Sequence, residues 1–261
     1  MIRYFRLLNI FFKNSLQIQL EYRLNLIFDI FHSLILSATG ILILYVMFDK
    51  AESVGGWSFS EAIALYGVFM IMEAIIDIAI HPNLKKIPEY IRTGNMDFYL
   101  IKPLSSQFIS SLRHYSFWMI PQFVLGFFVM IYGVINSGQL SLVNISVSFI
   151  FLLSGLGILY SLGLFLSTIS FWFIKIDNIH QLIFAFMSAA RVPVSAYSRP
   201  MRFLFSFIMP IAFVTTVPAQ AALGKLNLGF AIAGIAVSIG LLLASHLFWR
   251  YAVANYSSAS S

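Results

Sequence analysis

Long apolar runs separated by short polar breaks dominate the chain, and this pattern predicts membrane-spanning helices. A helix needs roughly 20 mostly apolar residues to cross about 30 Å of hydrocarbon. The alternating pattern of a membrane barrel and short internal repeats are both absent from the sequence. We therefore predict an all-α integral membrane protein with six transmembrane helices. The runs lie at about 24–48, 59–80, 115–135, within 142–173, at 178–194 and at 228–249.

A seventh apolar run, at about 200–223, contains two prolines that argue against a continuous helix. Pro210 and Pro218 each lack a backbone N–H donor, so a continuous helix that passes through either position is disfavoured. Irregular backbone is tolerated at membrane depth where protein or a water-filled cavity covers it. We predict two short helices here that enter and leave on the same side, with a kinked seventh span as the alternative.

The first 23 residues carry an amphipathic pattern of their own. Apolar residues recur at helical spacing, and basic residues lie among them, as in helices that lie in a membrane interface. We expect 1–23 to form an interfacial helix on the inner side, and an irregular leader is the alternative. The apolar positions are Ile2, Phe5, Leu8 and Phe12, and the basic ones are Arg3, Arg6 and Lys13.

Composition and charge placement support this view of a single membrane domain over 24–261. The chain is 60% hydrophobic and only 10% charged, against about 45–50% and about 25% in ordinary globular domains. The excess apolar surface requires lipid to cover it. With the N-terminus inside, the positive-inside tendency is satisfied and both termini are cytoplasmic. Of the 16 lysines and arginines, those left outside are Lys50, Arg191, Arg199, Arg202 and Lys225.

The one substantial polar loop, 81–114, is predicted to be structured. Pro88 is suited to open a short helix and Gly94 to close it, while Asp97 and Ser105 are suited to cap further turns. Seven apolar residues of the loop are too many for a free loop, so they must bury against headgroups, the membrane domain or another protein. They are Tyr90, Ile91, Met96, Phe98, Tyr99, Leu100 and Ile101. We interpret the loop as a docking surface; a loop folded on its own bundle is the alternative.

At this loop the sequence resembles a known family. Residues 92–104, RTGNMDFYLIKPL, resemble the R-x-G-x-x-D-x-x-L-x-[KR]-P segment of bacterial type-2 ABC exporter permeases (the ABC-2 family), and more narrowly its multidrug-type uncharacterised group. Residues 202–219 resemble that group's pattern before the last span, and 256–261 resemble its common ending. The resemblance covers essentially the whole chain.

The resemblance implies a permease subunit of an ATP-binding-cassette exporter in the bacterial inner membrane. In such exporters the subunit pairs with a second permease, identical or homologous, on two copies of a cytoplasmic nucleotide-binding ATPase, which binds the ATP and Mg²⁺. A coupling helix after span two rests on that ATPase, and re-entrant helices precede span six. The implied coupling residues are Pro88, Glu89, Tyr90, Arg92, Gly94, Asp97, Phe98, Tyr99, Lys102 and Pro103. The implied hairpin residues are Arg202, Pro210 and Pro218.

The chain itself is expected to be a transport subunit and not an enzyme. A P-loop requires G-x-x-x-x-G-K-[ST], but Gly224-Lys225 has Ala219 in the first glycine position and Leu226 after the lysine. The histidines are scattered singly, so we predict no metal site and disfavour a lipid-modifying enzyme. Basic residues lie beside apolar spans, which is explained by membrane orientation and not by nucleic acid.

Several acids lie inside predicted spans, and three of them are candidates for a polar layer. Glu73 and Asp77 share a helix face with His81, and Asp29 of the first span is a candidate for the same intramembrane polar layer. An acid at mid-bilayer costs on the order of 2.5–3.5 kcal/mol, so we interpret the layer as a structural or gating ion-pair site. An ion-coupled secondary transporter using Glu73 and Asp77 is the alternative function. Candidate partner cations are Lys85, Lys86 and Arg23.

Arg191, near the outer end of the predicted fifth span, is interpreted as a snorkelling or capping residue. Its side chain is long enough to keep a charged head near the interface while its stem lies against apolar neighbours. The sequence offers no substrate preference at this position or elsewhere in the spans.

Overall fold

A computed structural model describes residues 2–173 and 187–256, and these residues form a helical bundle. Two segments are π-helical, Ile76–Ile80 and Leu204–Ile208, and two are 3-10 turns, Val194–Ala196 and Ile211–Phe213. The α-helices are α1 (Ile2–Glu21), α2 (Arg23–Asp49), α3 (Phe59–Ile75), α4 (His81–Leu84), α5 (Ile87–Arg92), α6 (Asp97–Leu100), α7 (Ser106–Leu112), α8 (Ile120–Asn136), α9 (Leu142–Ile169), α10 (Arg199–Phe203), α11 (Thr216–Ala222) and α12 (Leu228–Ala254).

Four of the described helices are long and apolar enough to cross a membrane. They are α2, α3 with its continuation to Arg92, α9 and α12, and the bent run from Arg199 to Ala222 makes a fifth if it is counted as one span. The α8 helix has 17 residues, fewer than the roughly 20 that a crossing needs. The prediction of six is not reproduced, because α8 is short and 178–186 of the predicted fifth span lie outside the described residues.

The centre of the bundle is α3, which packs along α8 with almost no space between the two backbones. Residues 61–72 of α3 are all buried. A Cβ atom added at Gly67 would lie 2.2 Å from the Met130 backbone nitrogen, and one at Gly133 would lie 2.4 Å from that of Ala64. Small residues allow such close approach between membrane helices. On the other side of the bundle, α9 packs against both α11 and α12.

The predicted end of the second span at His81-Pro82 is wrong, because the helix continues past the proline. Pro82 lies in the first turn of α4, directly after the π-helical segment Ile76–Ile80. A proline at this position leaves the carbonyl four residues earlier, that of Ile78, without a helical donor. The Ser116 backbone N–H donates to that carbonyl at 2.9 Å. The lost helical bond is therefore replaced by one from another segment.

The predicted start of the third span at Tyr115 is also wrong, since α8 begins at Ile120. The segment before it is irregular, and side chains of α1 satisfy its backbone. Gln19 donates from Nε2 to the Tyr115 carbonyl at 2.6 Å and accepts from the Phe117 N–H at 2.8 Å. The Ser15 hydroxyl accepts from the Tyr115 N–H at 3.1 Å. The predicted N-terminal helix thus exists and is bound to this segment.

The seventh apolar run is interrupted as predicted, but by only one of its prolines. The run from Arg199 to Ile208 and the run from Ile211 to Ala222 are bent by 73°, with Pro210 at the break. Pro218 is the third residue of α11. It does not interrupt the helix, because N–H groups in a first helical turn have no intrahelical acceptor.

Both ends of this bent run lie at the same end of the bundle. Before it, the Ser195 hydroxyl donates to the Gly55 carbonyl, 2.7 Å away in the turn between α2 and α3. After it, Lys225 Nζ lies 2.6 Å from Glu61 Oε1 in the first turn of α3. Between these points the run reaches Gly155, near the middle of α9. The chain therefore enters the bundle and returns to the end from which it came.

We predict that Gly133→Ala will destabilise the protein by about 1–3 kcal/mol, the usual cost of overpacking. The added methyl group forces α3 and α8 apart, since backbone atoms of Ser60 and Ala64 occupy its position. Thermal unfolding in detergent, followed by tryptophan fluorescence, measures the effect. The matched control is Gly240→Ala in α12, where no atom lies within 4 Å of the new methyl. Equal melting temperatures for the two variants would contradict the close packing.

Candidate functional site

The loop predicted to dock another protein folds into a compact module, α4 to α7, which we call the coupling module. It lies at the end of the bundle opposite to the turn between α2 and α3. Its buried side chains form a second hydrophobic core with Leu164 of α9 and Trp249 of α12. The base of the module therefore packs against α9 and α12 and is continuous with α3. The alternative prediction, a loop folded on its own bundle, holds for this base. The buried members from the module are Leu84, Ile87, Ile91, Met96, Tyr99 and Ile109.

The residues predicted for coupling divide between this buried base and an exposed tip. Pro88 and Tyr99 are buried and Tyr90 is half-buried, so these three hold the module together. At the tip, Phe98 is 63% exposed, and Ile101, which was not among the predicted residues, is 78% exposed. The other exposed residues of the predicted coupling set are polar or turn residues: Glu89, Arg92, Lys102 and Pro103.

The predicted helix boundaries in the module are largely confirmed. Pro88 lies in the first turn of α5, and Gly94 follows that helix with a φ of 71°, a left-handed conformation that favours glycine. Ser105 caps α7 by accepting from the Phe108 N–H at 3.3 Å. The sequence predicted Asp97 as the cap of a helical turn. In the structure Met96 occupies the cap position and Asp97 is the first residue of α6.

Pro88 also connects the module to α9. Its ring removes the donor to the Leu84 carbonyl, and the Ser167 hydroxyl of α9 donates to that carbonyl at 3.0 Å. All three residues are buried. A proline in the module thus creates the acceptor through which α9 binds it.

Tyr99 organises the cationic side of the module. The Arg113 guanidinium donates to its hydroxyl at 2.7 Å, and Lys102 lies over its ring, 5.4 Å from the centroid. Tyr90 stacks on it with ring centroids 4.9 Å apart. These residues and His114 line a cavity of about 310 Å³. The sequence did not predict this aromatic and basic cluster, because its members lie on three different elements.

A polar cluster connects several helices of the bundle around Glu73, and its ion pair reaches the surface of the chain. Gln122 of α8 donates from Nε2 to Glu73 Oε2 at 2.7 Å, and the Ser37 hydroxyl of α2 donates to Gln122 Oε1 at 3.1 Å. Tyr66 donates to the Ser37 carbonyl at 3.2 Å. Arg191 Nη2 lies 3.9 Å from Glu73 Oε1. The cluster therefore joins α2, α3, α8 and the segment before α10.

These contacts change the predicted polar layer. The cation beside Glu73 is Arg191, which sequence reasoning assigned to snorkelling or capping, and none of the lysines or arginines proposed from the sequence. Asp77 lies 3.6 Å from His81, as the shared helix face predicted. Asp29 is exposed on α2 and makes no hydrogen bond or ion pair with the described residues. The structure does not bring Asp29 into the layer.

Comparison with known proteins identifies the family. A family model described as "ABC-2 family transporter protein" matches residues 34–260, which is most of the chain. The chain belongs to the ABC-2 transporter family. No curated protein and no solved structure matches it. The protein is thus the membrane permease component of an ABC transporter, as the resemblance at residues 92–104 indicated.

In this permease, Asn83 supports the irregular segment between the coupling module and α8. It is fully buried, accepts from the His114 N–H at 2.7 Å and donates to the His114 carbonyl at 2.7 Å. Burial, with the charges of Lys86 and Arg113, lowers the pKa of His114 to about 4, so the ring is neutral near pH 7. A hydrogen bond of 2.9 Å joins its Nε2 to the Tyr90 hydroxyl.

A single polar residue in an apolar run was the available signal for Gln122 and Ser37, whereas Asn83 lies in the predicted polar loop and carried no such signal. Each one is buried and hydrogen-bonded to a distant segment. The predicted polar layer contained acids alone, whereas the observed cluster also contains amide and hydroxyl groups. Buried polar groups require partners whether or not they are charged.

We predict that Asn83→Ala in the permease will open the segment around His114. The substitution leaves two buried backbone groups unsatisfied, at about 1–3 kcal/mol each. Hydrogen–deuterium exchange of peptides covering residues 113–119 should become faster by at least tenfold. The control is Asn95→Ala, an exposed amide in the same module that donates only to the Thr93 hydroxyl. Unchanged exchange in the Asn83 variant would show that this amide does not hold the segment.

Proposed function

We propose that this permease is the membrane subunit of an exporter driven by a separate nucleotide-binding ATPase, two copies of which serve a pair of permeases. The proposal is carried by two exposed apolar side chains at the tip of the coupling module. Phe98 and Ile101 lie three residues apart, so they share one face of the α6 turn. Both side chains are largely exposed on a base that is otherwise well buried.

The tip has the composition of a docking surface. Protein interfaces place apolar and aromatic residues at the centre and polar residues around them. Here Phe98 and Ile101 form the centre, and Glu89, Arg92 and Lys102 surround them. An apolar groove with acidic and basic groups at its rim would complement this tip. This is the surface on which we expect the ATPase to bind.

The base of the module supports a mechanical role. The helix that begins at Phe59 continues through the π-helical segment to Arg92, so α3 and the base of the module form one connected element, and the tip follows that base after a short turn. Ser167 of α9 and Trp249 of α12 attach the same base to two further spans. A movement of the tip by the ATPase would therefore move α3, α9 and α12 together. Because α3 packs tightly on α8, that helix would follow.

The way in which the permease crosses the membrane is also part of the proposal. We propose six crossings, formed by α2, α3, α8, α9, the segment 178–194 and α12, with the bent run from Arg199 to Ala222 re-entering from the outer side. The contacts of Ser195 and Lys225 at one end of the bundle support re-entry. The last turns of α12 lie beside the coupling module, and α1 contacts the segment after it. Both termini would then be cytoplasmic, in a bacterial inner membrane.

We predict that Phe98→Ala combined with Ile101→Ala will weaken ATPase binding at least tenfold, because the apolar centre of the interface is lost. Copurification of a P-loop ATPase with the tagged permease from its native membranes measures association. The control is Leu142→Ala, an 86% exposed apolar residue at the opposite end of the bundle. If the tip variant retains a stoichiometric ATPase, or if the wild-type chain copurifies with none, the assignment is wrong.

The Glu73 cluster is proposed as a gate between resting and transporting states. The Arg191 side chain is 44% exposed and that of Glu73 is 25% exposed, so this ion pair lies at the surface of a single chain within the apolar bundle. Charged groups at membrane depth normally face a bundle interior or a water-filled cavity. A second permease, or the pathway between two permeases, would cover the pair. The long separation of 3.9 Å suits a contact that opens and closes.

We predict that Glu73→Gln will raise the basal ATPase rate of the complex several-fold, since the neutral amide keeps the bond to Gln122 but loses the attraction to Arg191. Exchanging the charges, as Glu73→Arg with Arg191→Glu, should restore part of the low basal rate. The readout is ATP hydrolysis by the purified complex in nanodiscs. Asp29→Asn serves as the control acid without a partner. A basal rate unaffected by Glu73→Gln would argue for a purely structural pair.

A further inference from the structure

A cavity of about 420 Å³ lies between the bent run and the start of α12, and the proposed transport cycle does not use it. It is close to the turn between α2 and α3, far from the coupling module. Arg199, Arg202 and Ser206 line it from one helix face, since they lie about one helical turn apart in succession. Gln220 of α11 and Phe230 of α12 line it from the other side. Its volume is within the range of about 300–1,000 Å³ found for small-molecule sites.

Two polar side chains in this cavity lack protein partners. Ser206 is only 6% exposed, and neither its hydroxyl nor the Gln220 amide makes a hydrogen bond with any described residue. Ser206 is buried and Gln220 is half-buried, and polar groups in such positions favour a hydrogen-bond partner, so both are available to a ligand. Ser206 also lies in the π-helical segment Leu204–Ile208, and π-helical turns are frequent at functional sites.

The charge in the cavity is entirely positive. Arg202 is fixed by donating from Nη2 to the Ser195 carbonyl at 2.7 Å, and Arg199 makes no hydrogen bond or ion pair with the described residues. No acidic side chain is among the described residues that line the cavity. Two arginines without a carboxylate are suited to a phosphate or carboxylate, which a guanidinium binds with paired hydrogen bonds.

The remaining walls are apolar and partly open. Phe203 is 58% exposed and Phe207 is 70% exposed, and together with Phe230 they border the cavity. Ala212 forms its deeper part. Polar and cationic groups thus lie at one end of a site whose other surfaces suit hydrocarbon. This arrangement matches a molecule with an anionic head and an apolar tail.

We propose that this cavity binds an anionic amphiphile, with its phosphate or carboxylate at Arg199 and Arg202 and its hydrocarbon along Phe203 and Phe207. Ser206 and Gln220 would hydrogen-bond the ester or hydroxyl groups between head and tail. The ligand is either a resident lipid of the bilayer or the exported molecule, which share this chemistry. The placement toward the outer leaflet rests on the proposed function, but binding itself does not.

Native mass spectrometry of the detergent-purified permease tests the proposal, with dioleoyl phosphatidylglycerol as the anionic probe and dioleoyl phosphatidylcholine as its zwitterionic counterpart. We expect one phosphatidylglycerol to bind about tenfold more tightly than phosphatidylcholine. Arg199→Gln should abolish that preference, and Gln220→Leu should weaken the binding of both lipids. A diazirine-bearing phosphatidylglycerol should crosslink to peptides within residues 199–220.

The control is Arg250→Gln, the same change at an exposed arginine at the opposite end of α12, which should leave the preference intact. Thermal unfolding of each variant shows whether it is folded. Equal binding of the two lipids, equal losses at Arg199 and Arg250, or crosslinks confined to other peptides would overturn the proposal. Because the permease is tested alone, such a failure leaves the ATPase-binding result at Phe98 and Ile101 unaffected.

Proteoliposomes containing the complete complex then distinguish the two sources. A resident lipid stays bound at constant stoichiometry during ATP hydrolysis. An exported amphiphile leaves the site and accumulates in the opposite leaflet in an ATP-dependent manner. Either result supports the proposed binding site and identifies its ligand. In both cases we expect binding to require Arg199.

Discussion

The structure depends on how backbone groups freed by prolines find new partners away from water. Pro82 and Pro88 interrupt the hydrogen bonding of the long helix that begins with α3, and they leave the carbonyls of half-buried Ile78 and buried Leu84 without their helical donors. An unsatisfied backbone group in such an environment costs about 1–3 kcal/mol. The segment before α8 donates to the first carbonyl and α9 donates to the second. The interruptions therefore become the connections between the coupling module and the rest of the bundle.

The need to satisfy backbone groups also connects α1 and the long helix that begins with α3 to the segment before α8. The irregular residues around Tyr115 have no helix of their own to satisfy their backbone. Gln19 and Ser15 of α1, and Asn83 of α4, supply donors and acceptors to them. A change in any of these elements would be felt by the others, since few of these buried groups have alternative partners. This gives the segment that follows the module a fixed position relative to α1 and the long helix that begins with α3.

The two ends of the permease differ in chemistry. At the coupling end an apolar tip rises from a well-packed base and is surrounded by charges of both signs. At the other end the bent run encloses a cavity whose charged lining residues, among those the structure describes, are arginines, and Ser206 there makes no hydrogen bond with a described side chain. Between them lies the pair of Glu73 and Arg191, held on α3 and on the segment before α10. A polar cluster in this position connects elements that reach both ends.

The sequence by itself determined the class of protein, the family and most of the long helices. Runs such as α2, α9 and α12 follow directly from hydropathy, because lipid contact requires continuous apolar surface whatever the neighbours are. The proline and glycine signals around α5 were also sufficient, since Pro88 and Gly94 act through their own backbones.

Only the tertiary structure decided which polar groups meet. Hydropathy placed the third span at Tyr115 because it cannot detect hydrogen bonds to α1, and it treated Pro82 as a stop because the donor at Ser116 is remote in sequence. For the same reason the sequence alone offered Lys85, Lys86 and Arg23 as partners for the acids of the polar layer and missed the contact of Arg191 with Glu73. Local patterns report the environment that a residue prefers, whereas its partner is fixed by the packing of distant segments.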